Sequence, residues 1–505
     1  MSTIRSIIDQ RAKENPEKIY LFAPESGAEL RWNGLQQLAQ KINTRLDECG
    51  IGAGENVAFL MDNGYWTTAL FLSVMYSGRV IVPVNAVGGA AQVEYVLDHS
   101  EARILFVSEK YRLAYADAIA AASHDLQCVE LCPNSGSNWL QCPATEPATE
   151  INADAIALMI YTSGTTGKPK GVLLSHKNVL AGGKNTALAH EISDSDCGLC
   201  VLPLYHINAE MVSVMGSLVS NSSIVMPNKF SATQFWQWVS DYKCTWASLV
   251  PTIVSYLIDS ESRREKAIDF NVIREHLRFC RSASAALPPA THRQFEQMFG
   301  VPIIETMGIS EAAAQIFSNP PDPAKFRYGS PGIAYGNEGR VVDENNQPLA
   351  DNVKGEIVVR GDNVMQGYFK NPQETAKTID RDGWMHTGDV GYRDSDGYYF
   401  VTGRIKELII KGGENIAPRE IDDVLYKHPA VLEAAAFAAP CDQYGQEVMA
   451  CVALKSGNNC TQDELSAFCV EHLGAFKAPK HIHFMRELPK GPSGKIQRLK
   501  LIDLV

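Results

Sequence analysis

The run Tyr161-Thr-Ser-Gly-Thr-Thr-Gly-Lys-Pro-Lys-Gly171 constrains this chain more than any other stretch. It follows Ala155-Ile-Ala-Leu-Met-Ile160, which reads as a buried strand, and leaves the C-terminal end of that strand, where open α/β sheets place their ligands. Gly164 and Gly167 let backbone amides approach phosphate oxygens, the hydroxyls of Thr162, Ser163, Thr165 and Thr166 can donate to them, and Lys168 and Lys170 supply positive charge. The Walker spacing GxxxxGK[ST] does not fit, because only two residues separate Gly164 from Gly167 and Pro169 follows Lys168. A solvated turn is the plain alternative, since Ser, Thr and Gly fill ordinary loops. Four hydroxyls and two lysines after a buried strand are the composition of a triphosphate loop instead.

A chain of 505 residues is too long for one core, so two or more domains are expected. The formal net charge of -12, with no dense basic patch, argues against nucleic acid or an anionic membrane surface as partner. Twelve cysteines scattered along a chain whose first twenty residues carry charges and lack an apolar core fit reduced thiols and a cytoplasmic location. The longest uncharged apolar stretch, residues 65–78, falls short of the roughly 20 residues a membrane span needs. It reads as a buried helix, and no stable membrane association is expected.

Through the first 400 residues, β-branched runs such as Val80-Ile-Val82 and Ile104-Leu-Phe-Val107 alternate with helical stretches, the pattern of parallel strands with crossover helices. From about Lys354 to Phe400 the text becomes β-rich, as in Gly355-Glu-Ile-Val-Val-Arg360. The last hundred residues read as a small α+β unit. Pro418 opens a helix with Ile421, Val424 and Leu425 on one face; Thr461 and Glu464 form a capping box ahead of a second, which Gly474 stops. Cys197-x-x-Cys200 lacks a second pair nearby, so it is not read as a metal site.

The phosphate run resembles the YTSGTTGxPKG signature of the adenylate-forming superfamily of acyl-CoA synthetases, adenylation domains and luciferases. The resemblance continues, in the family's order, through Pro203-Leu-Tyr-His206, Glu305-Thr-Met-Gly-Ile-Ser-Glu311, Gly388-Asp389, Gly403-Arg404, Lys411-Gly-Gly-Glu414 and Ser493-Gly-Lys495. It implies a large α/β N-terminal domain (1–403) of two α/β subdomains and a β-rich one, a hinge (404–406) and a mobile α+β C-terminal domain (407–505). It implies ATP and Mg2+ as cofactors and coenzyme A as co-substrate for a small-molecule carboxylic acid. The segments Phe279-Cys-Arg-Ser-Ala-Ser284 and Phe476-Lys-Ala-Pro479 are most similar to ligases of the oxalyl-CoA and 4-coumarate:CoA type.

Residue by residue, the resemblance assigns the phosphates to residues 162–168 and Lys170, with Thr166 catalytic. It assigns the nucleotide further to Ser284, Glu305, Thr306, Met307, Ser310, Asp389 (ribose) and Arg404, and Mg2+ to Glu311. Lys495 bridges the substrate carboxylate and phosphate in the transition state, and His206 lines the acyl pocket and gates between half-reactions. The hinge falls on Lys406, and Lys411, Gly412 and Gly413 line the thiol tunnel. Met307 and Ser310 depart from the aromatic and threonine usual at those places; Met307 removes the aromatic face under adenine, while a thioether can still pack on a ring. Candidate pocket positions are His206, Asn208, Val250, Thr252, Ser284 and Gly308, a mixed lining that favours a small or medium, partly polar acid. Two alternatives stand beside the CoA ligase: a free-standing adenylation protein that loads a carrier protein, and a non-catalytic nucleotide-binding protein.

Overall fold

A computed structural model describes residues 2–162, 168–263, 268–455, 457–490 and 496–505. Strands buried along most of their length form the centre of two large sheets, as expected of strands covered on both faces. One, of seven strands, runs in the order Gly367–Tyr368, Lys170–Ser175, Ile156–Thr162, Val80–Pro83, Asn56–Leu60, Ile104–Val107, Gln127–Glu130, parallel from Ile156–Thr162 onward. The other, of nine, places Phe279–Ser282 between Trp246–Leu249 and Ile303–Ile309, all parallel.

The helix Tyr65–Tyr76 is buried along nearly its whole length, as expected from its composition, and touches strands of both sheets. It joins the two α/β layers into one body. Among the described residues no helix is long and apolar enough to cross a membrane. Cys197 and Cys200 lie buried in one short strand, and no metal-binding cluster of His, Cys, Asp or Glu occurs among the described residues.

The segment after the phosphate run, Lys170–Ser175, pairs antiparallel with Ile156–Thr162, with Thr162 opposite Lys170. The β-rich region begins earlier than expected, because Glu338–Val342 already pairs with Gly355–Arg360, followed by Met385–Arg393 and Tyr399–Arg404.

Beyond the turn Ile405–Glu407 comes a five-stranded sheet of its own, built on the hairpin of Val431–Cys441 and Gly445–Leu454. Helix Pro418–Leu425 starts at its proline and Gln462–Leu473 starts from the Thr461/Glu464 capping box, both as the local sequence requires. Where this unit meets the rest, Arg419 donates to the carbonyls of Val401 (2.8 Å) and Gly329 (3.4 Å). Glu420 takes Lys354 on one oxygen (2.8 Å) and Lys477 on the other (2.6 Å).

Inside the unit Arg498 is paired with Asp422 (2.6 Å) and Glu407 (3.2 Å), and Asp422 also accepts the Ala436 amide (2.6 Å). Asp422 is 8% exposed, so deleting its carboxylate leaves a buried guanidinium without its main partner. Asp422→Ala is therefore expected to destabilise this unit by about 3 kcal/mol. Hydrogen exchange of the Val431–Cys441 amides should accelerate about a hundredfold wherever it proceeds by opening of the unit.

Candidate active site

The described residues on either side of the phosphate run meet aromatic and charged side chains. Tyr161 shares a 2.8 Å hydrogen bond with His99, and the exposed Lys168 lies 5.8 Å from the Tyr95 ring centre. Lys170 is half-buried, pairs with Glu374 at 2.7 Å and sits 4.4 Å from the ring centre of Tyr368. The Lys170 hydrogen bond holds the Glu374 carboxyl below the ordinary glutamate range. Tyr368 in turn donates to Glu311 at 3.0 Å. A path of direct contacts thus runs from the phosphate run to the residue expected to hold Mg2+. Ser163, Gly164, Thr165, Thr166, Gly167 and Lys495 lie outside the described residues.

Glu305, Thr306, Met307 and Gly308 occupy consecutive positions of the strand Ile303–Ile309, and Ser310 and Glu311 the single helical turn after it. Glu305 is buried, which raises its carboxyl, while Arg419 from the C-terminal unit acts to lower it. Met307 packs against a cluster that includes Ile316, Phe317 and Tyr399. A Cβ on Gly308 would stand 2.2 Å from the carbonyl oxygen of Ala314, so that close approach admits only glycine. Among the described residues Glu311 is not part of a metal-binding cluster; a single carboxylate suits Mg2+, which binds through one or two carboxylates with phosphate and water completing its shell.

Asp389 lies inside the strand Met385–Arg393, directly opposite Arg404, the last residue of Tyr399–Arg404. Gly388, with φ of +71°, and the Glu356 carboxylate, which accepts the Gly388 amide (3.0 Å) and bonds His386 (2.8 Å), set the bend that turns Asp389 inward. Its side chain is 6% exposed and accepts from Arg404 Nε at 2.9 Å, and that charge is the chief reason the guanidinium is held above its ordinary range. Glu311 also acts on Arg404, so the two carboxylates share one cation electrostatically. Arg404 belongs to the strand rather than to the link.

The candidate acyl positions lie on several elements of the large domain. His206 carries the carbonyl that opens the helix Asn208–Met215; its ring packs 4.7 Å from Tyr205. Val250 caps the helix Pro251–Ser262, on which Thr252 lies in the first turn. Ser284 holds a left-handed φ of +73° just past Phe279–Ser282. Asn208 is buried and hydrogen-bonded to Ser248 (2.9 Å) and Arg281 (2.6 Å). Sequence reasoning missed Arg281, Tyr368, Glu374 and Glu356; a lone arginine in the small-residue run around Ser282 was the one available signal.

Lys406 sits exposed in the turn between the two units and acts electrostatically on Glu374. Lys411 is the other position where the structure departs from the expected tunnel lining. Its ammonium is buried against Glu447 and the Phe476 carbonyl (2.9 Å), so its charge serves the C-terminal unit. The tip Gly412-Gly413 is exposed, with φ of +57° and +88°, the geometry of a tight hairpin.

Comparisons with known proteins agree with this geometry. A family model described as "AMP-binding enzyme" matches residues 8–369, and one described as "AMP-binding enzyme C-terminal domain" matches residues 420–495. The chain is 44% identical to a sulfoacetate–CoA ligase of Cupriavidus necator, over 99% of the chain and 97% of that protein. It is 35% identical to an oxalate–CoA ligase of Arabidopsis thaliana, over 98% and 97%. Among solved structures it resembles ATP-bound MatB from Rhodopseudomonas palustris with a TM-score of 0.91, at 26% identity over 100% and 99% of the chains. The apo form of that protein gives 0.82, at 27% identity over 99% and 98%.

Two outcomes test the site's construction. Gly308→Ala should lower stability by about 2 kcal/mol in thermal unfolding, because the atom it meets is backbone. The Glu374 carboxyl should titrate below the reference 4.5, so its pair with Lys170 survives acidification to that point and is lost only as pH falls through the lower, folded-state value. Carboxyl-detected NMR measures that midpoint.

Proposed function

The chain belongs to the AMP-binding enzyme family, and from that premise we propose that it activates a short acid carrying a second anionic group. It is an AMP-forming acid–CoA ligase, using ATP, Mg2+ and coenzyme A. A carboxylate oxygen attacks the α-phosphorus of ATP, pyrophosphate leaves, and an acyl-adenylate forms; the CoA sulfur then attacks the acyl carbon and AMP departs. The reading of the acid is carried by similarity over nearly the full chain to ligases named for sulfoacetate and oxalate, both short and doubly charged. The polar lining at Asn208 and Ser248 supports it.

In this reading Asp389, buried and oriented by Arg404, receives the ribose hydroxyls, since a carboxylate accepts from two neighbouring donors at once. Thr162, Ser163, Gly164, Thr165, Thr166, Gly167 and Lys168 surround the phosphates, while Lys170, already held by Glu374, positions Tyr368 and through it Glu311. Glu311 would hold Mg2+, which when bound supplies charge neutralisation at the phosphates. Met307, Ser310, Glu305 and Thr306 line the adenine side, with Ser284 and Gly308 where acyl group and nucleotide meet. Lys495 brings a positive charge to the phosphorus as negative charge develops there. We assign the domain boundaries to 1–403 and 407–505, with rotation about Lys406 withdrawing Lys495 and presenting Gly412 and Gly413 to the thiol, and His206 gating between the steps.

The acceptor is CoA; a carrier protein's phosphopantetheine offers the same thiol and is the acceptor to compare. Twelve free cysteines support a reducing compartment, and we place the enzyme in the cytoplasm, away from membranes. A panel of carboxylic acids scored for AMP release with and without CoA tests the substrate reading: sulfoacetate, oxalate or a similar dianion should give the highest kcat/KM, and preference for long-chain or monoanionic acids would sink it. Lys495→Ala should lower adenylate formation by about 10²-fold or more while a supplied acyl-adenylate still reacts with CoA. Equal loss of both steps would refute its role.

A further inference from the structure

Next to the acyl positions lies a cation that the reaction as described does not use. Arg281, in the strand Phe279–Ser282, is 2% exposed. Its Nη1 donates to Asn208 Oδ1 at 2.6 Å and to Ser248 Oγ at 3.0 Å, and its Nη2 donates to Thr306 Oγ1. Its Nε has no acceptor, and the Nδ2 of Asn208, itself buried, has none either. Every acceptor around the guanidinium is a neutral oxygen.

No carboxylate compensates this charge among the described residues. Glu210, on the same helix as Asn208, is fully buried with both oxygens unpartnered, and burial pushes its carboxyl well above the ordinary glutamate range. His190, the other ionisable group that Arg281 acts on, is held neutral by burial and by that charge. Burial lowers Arg281 itself to about 9, so it remains a cation at neutral pH. A guanidinium that only tied the strands to the helix could be replaced by a neutral amide at lower cost, because burying an unpaired charge is expensive.

The sheet register shows where the charge points. Ser248 lies opposite Arg281 and Arg281 opposite Ile304, so alternation along the strands puts Ser248, Arg281, Ile304 and Thr306 on one sheet face, the face that meets Asn208. Thr306 is one of the candidate nucleotide positions and Asn208 one of the candidate acyl-pocket positions.

We infer that Arg281, with Asn208 and Ser248, forms an anion subsite that receives the second charged group of the acid, a sulfonate or a second carboxylate, and thereby sets specificity. This rests on the reading of a short, doubly charged substrate. The two chemistries share one receptor: fixed donors and one uncompensated positive charge, which an anion neutralises on binding and an apolar group of the same size does not.

The test compares sulfoacetate and malonate with propionate, which matches them in size but lacks the second charge, scoring kcat/KM by pyrophosphate release. In the wild type the dianions should lead; if they do not, the substrate reading fails before any variant is made. In Arg281→Met the ratio of kcat/KM for dianion over propionate should fall by about 10²-fold or more, since a site built for a polar group discriminates strongly against its absence. Asn208→Asp is nearly isosteric, hands Arg281 an internal counterion and favours folding; it should collapse the same ratio and decides the matter if Arg281→Met does not fold. A sulfoacetate ratio that falls while that of malonate holds, or the reverse, identifies which anion the subsite takes. Ratios unmoved for both dianions in either folded variant, equal loss with all acids, or an effect confined to the KM for ATP would overturn the subsite while leaving the substrate reading intact.

Discussion

The ion pair between Asp389 and Arg404 is the interaction on which the site's arrangement depends. It closes the last rung of an antiparallel ladder, so the strand that carries the ribose-side carboxylate and the strand that leads out of the large domain end at the same point. A buried carboxylate needs a partner, and the partner available is the residue one step before the chain leaves the sheet. Any shift in that register would move the carboxylate and the exit of the chain together. Glu311, acting on the same guanidinium, brings the turn after Ile303–Ile309 into the arrangement.

A second layer of organisation runs from the phosphate run. Lys170 holds Glu374 and faces Tyr368, and Tyr368 reaches Glu311. Three different segments therefore meet through side chains at the place where triphosphate charge would gather. Gly367–Tyr368 adds to the edge of Lys170–Ser175 in the same sheet, which fixes the tyrosine relative to the loop whatever the state of the C-terminal unit.

Local physics was legible in the sequence. The capping box at Thr461, the proline start at Pro418, the buried run at residues 65–76 and the strand Gly355–Arg360 depend on neighbours a few residues away, and each formed as its composition requires. What stayed hidden was pairing at a distance. Asp389 looked like a turn because Gly388 interrupts the apolar alternation, yet the partner strand and Glu356 recruit the segment into a ladder. The buried pair of Lys411 with Glu447, 36 residues away, is likewise invisible beside two glycines in the sequence. Arg281 meets Asn208, Ser248 and Thr306 across sequence separations of 73, 33 and 25 residues, which no periodicity reports.

Glu420 carries a consequence for how the C-terminal unit is held. It is the junction of two ion pairs, one reaching across to Lys354 of the large domain and one to Lys477 of its own unit, and all three side chains keep substantial contact with water. Pairs of this kind contribute little and are weakened by salt. The pair with Lys354 therefore does little to hold the C-terminal unit against the rest of the chain, and the pair with Lys477 little to hold the unit together. Ionic strength acts on this exposed junction before it reaches the buried pairs Arg498–Asp422 and Lys411–Glu447.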